Sequence, residues 1–398
     1  MYFQIHMPFR LRRYRFFDIG IEHYYYDDYS NESILRRVAD NSYLPANKVL
    51  LNAIKEHGDK FKVAFSISGP ALDQFELYAP DVLESFKELA ATGQVEFLCE
   101  TDSHSLVSLI NRDEFEKQVN NHKLKINRFF GQSPVVFRNT ELIYSDLIGS
   151  YVNNMGFEAM ITEGTKQILG WKSPNYIYCS SLNPRLKLLL RNFKLSDDIS
   201  FRFSNRHWNE YPLTTEKFAK WLNSIDKNRE NINLFVDYQT FGSRQSVDSG
   251  ILEFLKYLPA TIFKRTEYTF CTPSEAARFH QPVAPVSVQY PISWADEERD
   301  ITAWLGNDLQ NEAFTKLYNL RDLVLLCPDP KIQIDWKYLQ SSDHFYYMST
   351  KFFSDRPILA NINPFDSPYD AFINYMNVLN DFSIRVKDAS GHNFKNKK

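Results

Sequence analysis

Two carboxylates stand where a folded chain can do chemistry: Glu141 in "RNTELIY" and Asp237 in "NLFVDYQTFG". Each closes a short apolar run that reads as a buried strand. They lie far apart in sequence, so only a fold brings them together. Paired carboxyl groups at one mouth suit glycosidic-bond chemistry: one attacks the anomeric carbon and the other, kept protonated, donates to the leaving oxygen. A separation of about 5–5.5 Å implies retention of configuration, and about 6.5–9.5 Å implies inversion. Arg138, just before Glu141, can hold a carboxylate ionised, and the partner needs the opposite tuning.

Other polar residues fall at the ends of the same runs. The first run ends in His6, the second in Ser66 and Ser68, the third carries Glu96 and Glu100, and the fifth ends in Thr162 and Glu163. In a parallel sheet or barrel these ends share one face, which is where active sites form. Each residue also has a plainer reading. A glutamate just after a strand serves as a cap, and Asp237 before Gly242 serves as a turn former. His6 and His104 read equally as satisfied structural histidines, and Trp171 in "LGWKSPNY" as packing under a loop. The histidines form no HExxH and no pair spaced for one helix face, so no metal site is expected.

The elements that must position these residues alternate. Strands are expected near Phe3–His6, Val63–Ser68, Val95–Cys99, Val135–Phe137, Ala159–Thr162, Tyr176–Tyr178, Leu188–Leu190, Leu234–Val236 and Tyr268–Cys271. Between them lie helices with readable ends: Pro45 to Gly58, Pro80 to Gly93, a helix capped by Asp113 and closed by Gly131, one capped by Ser145 and closed by Gly156, and one capped by Thr214 or Thr215. This rhythm predicts an α/β fold with a mainly parallel sheet, and so many units favour a barrel. Beyond Trp294 the patterns are helical only, which puts a boundary near 280–295.

Bulk properties narrow the function. The chain has 398 residues and a formal net charge of −3, so no basic surface points to nucleic acid. The apolar runs are too short to span a membrane, and the N-terminus lacks signal-peptide order. Four scattered cysteines without CxxC spacing predict reduced, mostly buried thiols in a cytoplasmic protein. The oligomeric state is left open.

Five stretches together resemble the α-amylase branch of glycoside hydrolase family 57: "FQIHMPFRL", "GQVEFLCET", "FRNTELIY", "LFVDYQTFG", and "WLGNDLQNEAF" with "SSDHFYYM". The resemblance runs from about residue 3 to about 350. It implies an incomplete, seven-stranded (β/α) barrel over residues 1–285, a C-terminal helical bundle over 286–390 that completes the cleft, and a flexible tail over 391–398. One or two of the nine candidate runs are then hairpin or edge strands. It implies retaining cleavage of α-1,4-linked glucose chains without a cofactor, with Glu141 as nucleophile and Asp237 as general acid/base. His6, Glu96, His104, Arg138, Trp171, Gln239 and Asp343 would hold the sugar.

The chain departs from that pattern around its carboxylates. Members carry Glu where Gln239 stands, an acid and a histidine where Ser243 and Arg244 stand, tyrosines at Asp102 and Ser103, and Gln at Met7. Gln239 removes a charge that would keep Asp237 protonated, and an inward Arg244 would favour the ionised form. A glucan-binding protein with little catalysis, and a 4-α-glucanotransferase, therefore stand beside the hydrolase as readings. A metal-dependent deacetylase on a similar barrel lacks its Asp/His set here.

Overall fold

The computed structural model describes residues 1–225, 231–351 and 363–390. The expected tail, 391–398, lies outside them. Eight strands carry the architecture: β1 (Tyr2–Ile5), β2 (Val63–Ile67), β3 (Val95–Phe97), β4 (Val136–Arg138), β5 (Ala159–Glu163), β6 (Ile177–Ser180), β7 (Lys187–Arg191) and β8 (Phe235–Asp237). One sheet runs β3-β2-β1-β8 and another β6-β7-β5-β4, with Pro285–Val286 against β6. Every neighbouring pair is parallel except β6 with β7. Isolated parallel bridges join the sheets at both ends, Cys99 to Phe137 and Arg191 to Asn233. The Arg138 amide donates to the Cys99 carbonyl at 2.8 Å, and the Asn192 amide to the Asn233 carbonyl at 2.8 Å.

Burial explains the composition of the strands. Val63–Ile67 is buried at every position. A strand covered on both faces reads as a continuous apolar run rather than an alternation. The run Tyr268–Cys271, expected as a strand, is not one. Its apolar side chains are sheltered without sheet pairing: the Phe270 ring meets Phe61 at 4.9 Å and Phe263 at 5.7 Å. The antiparallel β6 is the hairpin member.

Helix ends follow local capping chemistry. Leu44–His57 has proline in its first turn and stops at Gly58, with φ 59°. Ser145 accepts from the Ile148 amide and opens Asp146–Asn154. Thr214 caps Thr215–Ser224. Arg112–Phe130 is capped by Asn111, not by Asp113: the Asn111 oxygen accepts from the Glu114 amide at 2.9 Å. Asp113 instead lies in the first turn, where its charge faces the positive end of the helix.

Among the described residues no strand follows Val286. The described residues beyond it form helices Thr302–Leu305, Asp308–Tyr318, Arg321–Leu325, Pro330–Leu339, Ser342–Tyr346 and Pro368–Ala389. They share one apolar core with the sheet: Trp304, Leu317, Trp336 and Val378 belong to the same buried cluster as Phe137 and Leu188. Cys99, Cys179 and Cys327 are buried, Cys271 half-buried, and none is bridged. No described helix is long and apolar enough to cross a membrane.

The turn after β8 requires glycine. Gly242 has φ 114°, and a Cβ there would sit 1.9 Å from the Asn41 carbonyl oxygen. Gly242→Ala is expected to destabilise the protein by at least about 2 kcal/mol, because both the backbone angle and the close approach forbid a side chain. Urea unfolding checks this; a midpoint within error of the parent would show that the turn relaxes.

Candidate active site

Strand ends converge on one face because seven of the eight strands run the same way. Gln4, His6, Glu141, Arg191, Asp237 and Gln239 line one cavity with Asp343 and Trp294. It encloses about 1310 Å³ of empty space counting its open mouth. Glu141 and Asp237 thus line one cavity although β4 and β8 are distant in sequence.

Glu141 sits in a strained turn. Its φ/ψ is 55°/25°, and Leu142 has φ 53°. Non-glycine residues in the left-handed region cost on the order of 1–3 kcal/mol each and persist only where surroundings hold them. Here the Trp294 amide donates to the Glu141 carbonyl at 3.3 Å, the Thr162 hydroxyl to the Leu142 carbonyl at 3.3 Å, and the Asn139 side chain to the Ile143 carbonyl at 2.9 Å. The turn swings the carboxylate from the β4 axis into the cavity.

Both Glu141 oxygens are engaged. Oε1 meets His104 Nε2 at 3.3 Å and accepts from the Ser342 hydroxyl at 3.0 Å; Oε2 accepts from the Trp294 indole at 2.6 Å. Behind His104 stands Glu100, whose Oε2 lies 2.9 Å from His104 Nδ1 and accepts from Arg138 Nη1 at 2.7 Å. Arg138, Glu100 and His104 are all buried. Burial pushes the Glu100 carboxyl up, but Arg138 and His104 outweigh it and bring it down to about 2. Burial also pushes Glu141 up, and His104, Trp294 and Arg138 bring it below its ordinary value. For His104, burial opposes the charge, yet the two carboxylates raise it to about 9.

His6 stacks on His104, with ring centroids 3.7 Å apart. Burial and the neighbouring imidazolium hold His6 below its ordinary value. Two stacked rings cannot both be charged cheaply, so the proton stays on His104 and His6 is neutral. His6 Nδ1 lies 2.7 Å from the Ser68 hydroxyl, and Nε2 lies 2.7 Å from Asp343 Oδ2. Burial pushes Asp343 up, but its contacts with the two histidines hold it far below the carboxylate range.

Asp237 closes β8. Its Oδ1 accepts from the Gln239 amide at 2.8 Å, and its Oδ2 accepts from Arg244 at 2.8 Å. Arg244 therefore points inward. The Gln239 side-chain amide donates to the His6 carbonyl, Met7 sulfur and Tyr43 hydroxyl at 3.3–3.5 Å. A glutamate would set an acceptor against that carbonyl. Asp102, where the family resemblance leads one to expect tyrosine, pairs with Lys125 at 3.0 Å and Lys337 at 3.5 Å.

Two expected sugar contacts lie elsewhere. Glu96 sits low in β3, where its Oε2 accepts from the Ser274 amide at 2.9 Å. The strand-end carboxylate is Glu100. Trp171 is 93% exposed, beyond the turn after Lys166–Leu169, and does not line the cavity. Arg138 reaches the site through Glu100, and His104 through its contacts with Glu141 and His6. Conversely, Trp294, Ser342, Arg191 and Asp296 line or contact the site without having been singled out. Their signal was weak: Trp294 and Asp296 lie in an irregular loop, and Ser342 stands next to Asp343.

The fold and site thus define an α/β enzyme with a carboxylate-lined cavity. The model of the glycosyl hydrolase family 57 matches residues 1–289, and the chain belongs to that family. A Methanocaldococcus jannaschii protein named "Putative alpha-amylase" is 41% identical over 97% of this chain and 84% of its own length. A family 57 branching enzyme of Thermococcus kodakaraensis superposes with a TM-score of 0.72 at 13% identity, covering 100% of this chain and 91% of that one. The 4-α-glucanotransferase of Thermococcus litoralis superposes with a TM-score of 0.64 at 16% identity, over 87% of this chain. The chain spans about half of that enzyme, 55% of its length.

The buried chain of charges carries a pH signature. His104 has a raised folded-state value, so its contribution is fully present below its ordinary value of 6.5 and fades as pH rises toward about 9. Wild-type stability is expected to fall across that alkaline window. His104→Gln should be less stable near pH 6 but flatter between pH 6.5 and 9. Melting curves at stepped pH check this; parallel profiles would mean that the imidazolium is not the titrating group.

Proposed function

We propose that the protein is a retaining α-glucan hydrolase in which Glu141 is the nucleophile and Asp237 the general acid/base. The observation that carries this reading is that both carboxylates line one cavity in contrasting surroundings. Glu141 is held ionised by donors on both oxygens. In the first half-reaction a Glu141 oxygen bonds to the anomeric carbon while the glycosidic C–O bond breaks, and the Asp237 proton goes to the leaving oxygen. In the second, Asp237 takes a proton from water, the water oxygen bonds to the anomeric carbon, and Glu141 is released. An acceptor sugar in place of water gives transfer. The indole, imidazolium and Ser342 hydroxyl fix the direction of attack, as positioning groups do.

We further propose the finer architecture: an incomplete (β/α) barrel of seven strands, β1 to β5 with β7 and β8, over residues 1–285. The helices of 286–390 complete the cleft. The parallel order and the two bridging seams support this. The Asp343 contact with His6, and those of Ser342 and Trp294 with Glu141, support the helical part's share in the site.

One observation favours a second reading, glucan binding with weak catalysis. Asp237 is engaged on both oxygens, by the Gln239 amide and by the Arg244 guanidinium. Two outcomes are expected. Glu141→Gln should reduce maltoheptaose cleavage to background while calorimetry still detects binding, because the shape is kept and the nucleophile lost; turnover near the parent rate would assign the attack elsewhere. Arg244→Gln should raise kcat severalfold near neutral pH by freeing Asp237. An unchanged kcat would mean that Arg244 already swings away when substrate binds.

A further inference from the structure

The same cavity holds a charge that no described residue pairs with. Arg10, just beyond β1, lines it and is only 8% exposed. Its Nη1 is buried without a hydrogen-bond partner, and among the described residues its guanidinium takes part in no ion pair. The backbone is fixed: the Arg10 amide donates to Asn31 Oδ1 at 2.9 Å, and its carbonyl accepts from the Asp27 amide at 3.0 Å. Most of the cavity's other charges are matched: Arg191 pairs with Glu163 and Asp197, Asp296 with Lys351, and Glu141 with His104, while Asp343 is hydrogen-bonded to the neutral His6. Arg244 is matched only by Asp237. The buried Tyr43 hydroxyl, which accepts from Gln239, feels the charge of Asp237 and then of Arg244 and Arg10. Both guanidiniums line the cavity.

A buried cation without a counter-ion is costly, and a site keeps one where a ligand supplies the missing charge. Guanidinium forks match phosphate oxygens in pairs, and two of them suit a group carrying nearly two negative charges. We propose that the cavity takes an α-glucan bearing a phosphate ester, with Arg10 as the residue that receives the phosphate and Arg244 as its second arm. This rests on the glucan reading of the same cavity. It also gives the Arg244 pair a purpose: a phosphate that draws Arg244 away frees Asp237 Oδ2 for proton transfer.

The test is calorimetric titration of the full-length protein with maltoheptaose and with maltoheptaose carrying a 6-phosphate, using inorganic phosphate as competitor. The phosphorylated chain is expected to bind at least about tenfold more tightly, the scale of charge-assisted hydrogen bonds. That preference should shrink with added salt. Arg10→Gln should bring the ratio of affinities toward one, and Arg10→Lys should restore part of it. The Arg10→Gln melting temperature should not fall, since the change removes an unpaired buried charge. Equal affinities in the parent protein, or a preference that survives Arg10→Gln, would overturn the proposal while leaving the glucan reading intact. Binding of the phosphorylated chain and of inorganic phosphate, with none of maltoheptaose, would uphold the phosphate site and overturn the neutral-glucan reading.

Discussion

A charge withdrawn from water must meet another charge or lose its ionisation, and this site is built on that constraint. Arg138, Glu100, His104 and Glu141 alternate in sign along one line of contacts, with links of 2.7, 2.9 and 3.3 Å. Removing one member leaves its neighbours buried and unpaired, which costs far more than the pair contributes to stability. The line therefore acts as a unit. It begins inside β4 and ends at the cavity, so the state of Glu141 is set from behind, out of reach of solvent.

The helical part is bound into the same arrangement. The Ser342 amide donates to the His104 carbonyl at 2.9 Å, and Ser105 bridges to Ser341. Tyr144 and Ile292 exchange backbone hydrogen bonds at 3.0 and 2.9 Å. Each link attaches to a residue beside the charge line: His104 itself, the turn after Glu141, or Asp343 against His6. The strained backbone at Glu141 is tolerable for that reason. Contacts from the sheet and the helical part hold it from both sides, as left-handed non-glycine residues require.

At Asp237 the logic differs. It is matched by a single arginine on a short loop. The pair is partly exposed, so it is more easily exchanged than the fully buried contacts behind Glu141. Glu141 is thus fixed by buried charge, while the Asp237 pair is open to rearrangement.

The sequence alone determined much of this. The strand-then-helix rhythm, the capping residues at Ser145 and Thr214, the glycine stops, and the two carboxylates at strand ends are local properties, set by propensity and capping within a few residues. What failed locally failed for a physical reason. Tyr268–Cys271 has the composition of a strand, but pairing is decided by which backbone lies alongside. Glu96 and Glu100 look alike along one run, and only the depth of each in the fold separates a residue held by the Ser274 amide from one that anchors His104. Trp171 carries an aromatic ring that no pattern can assign to a cavity or to solvent. The tertiary structure decided the rest: that Trp294 and Ser342 reach Glu141, that Arg244 meets Asp237, and that Arg10 pairs with no carboxylate among the described residues. Such pairings join residues far apart in the chain, and they form only when the sheet and the helices are packed together.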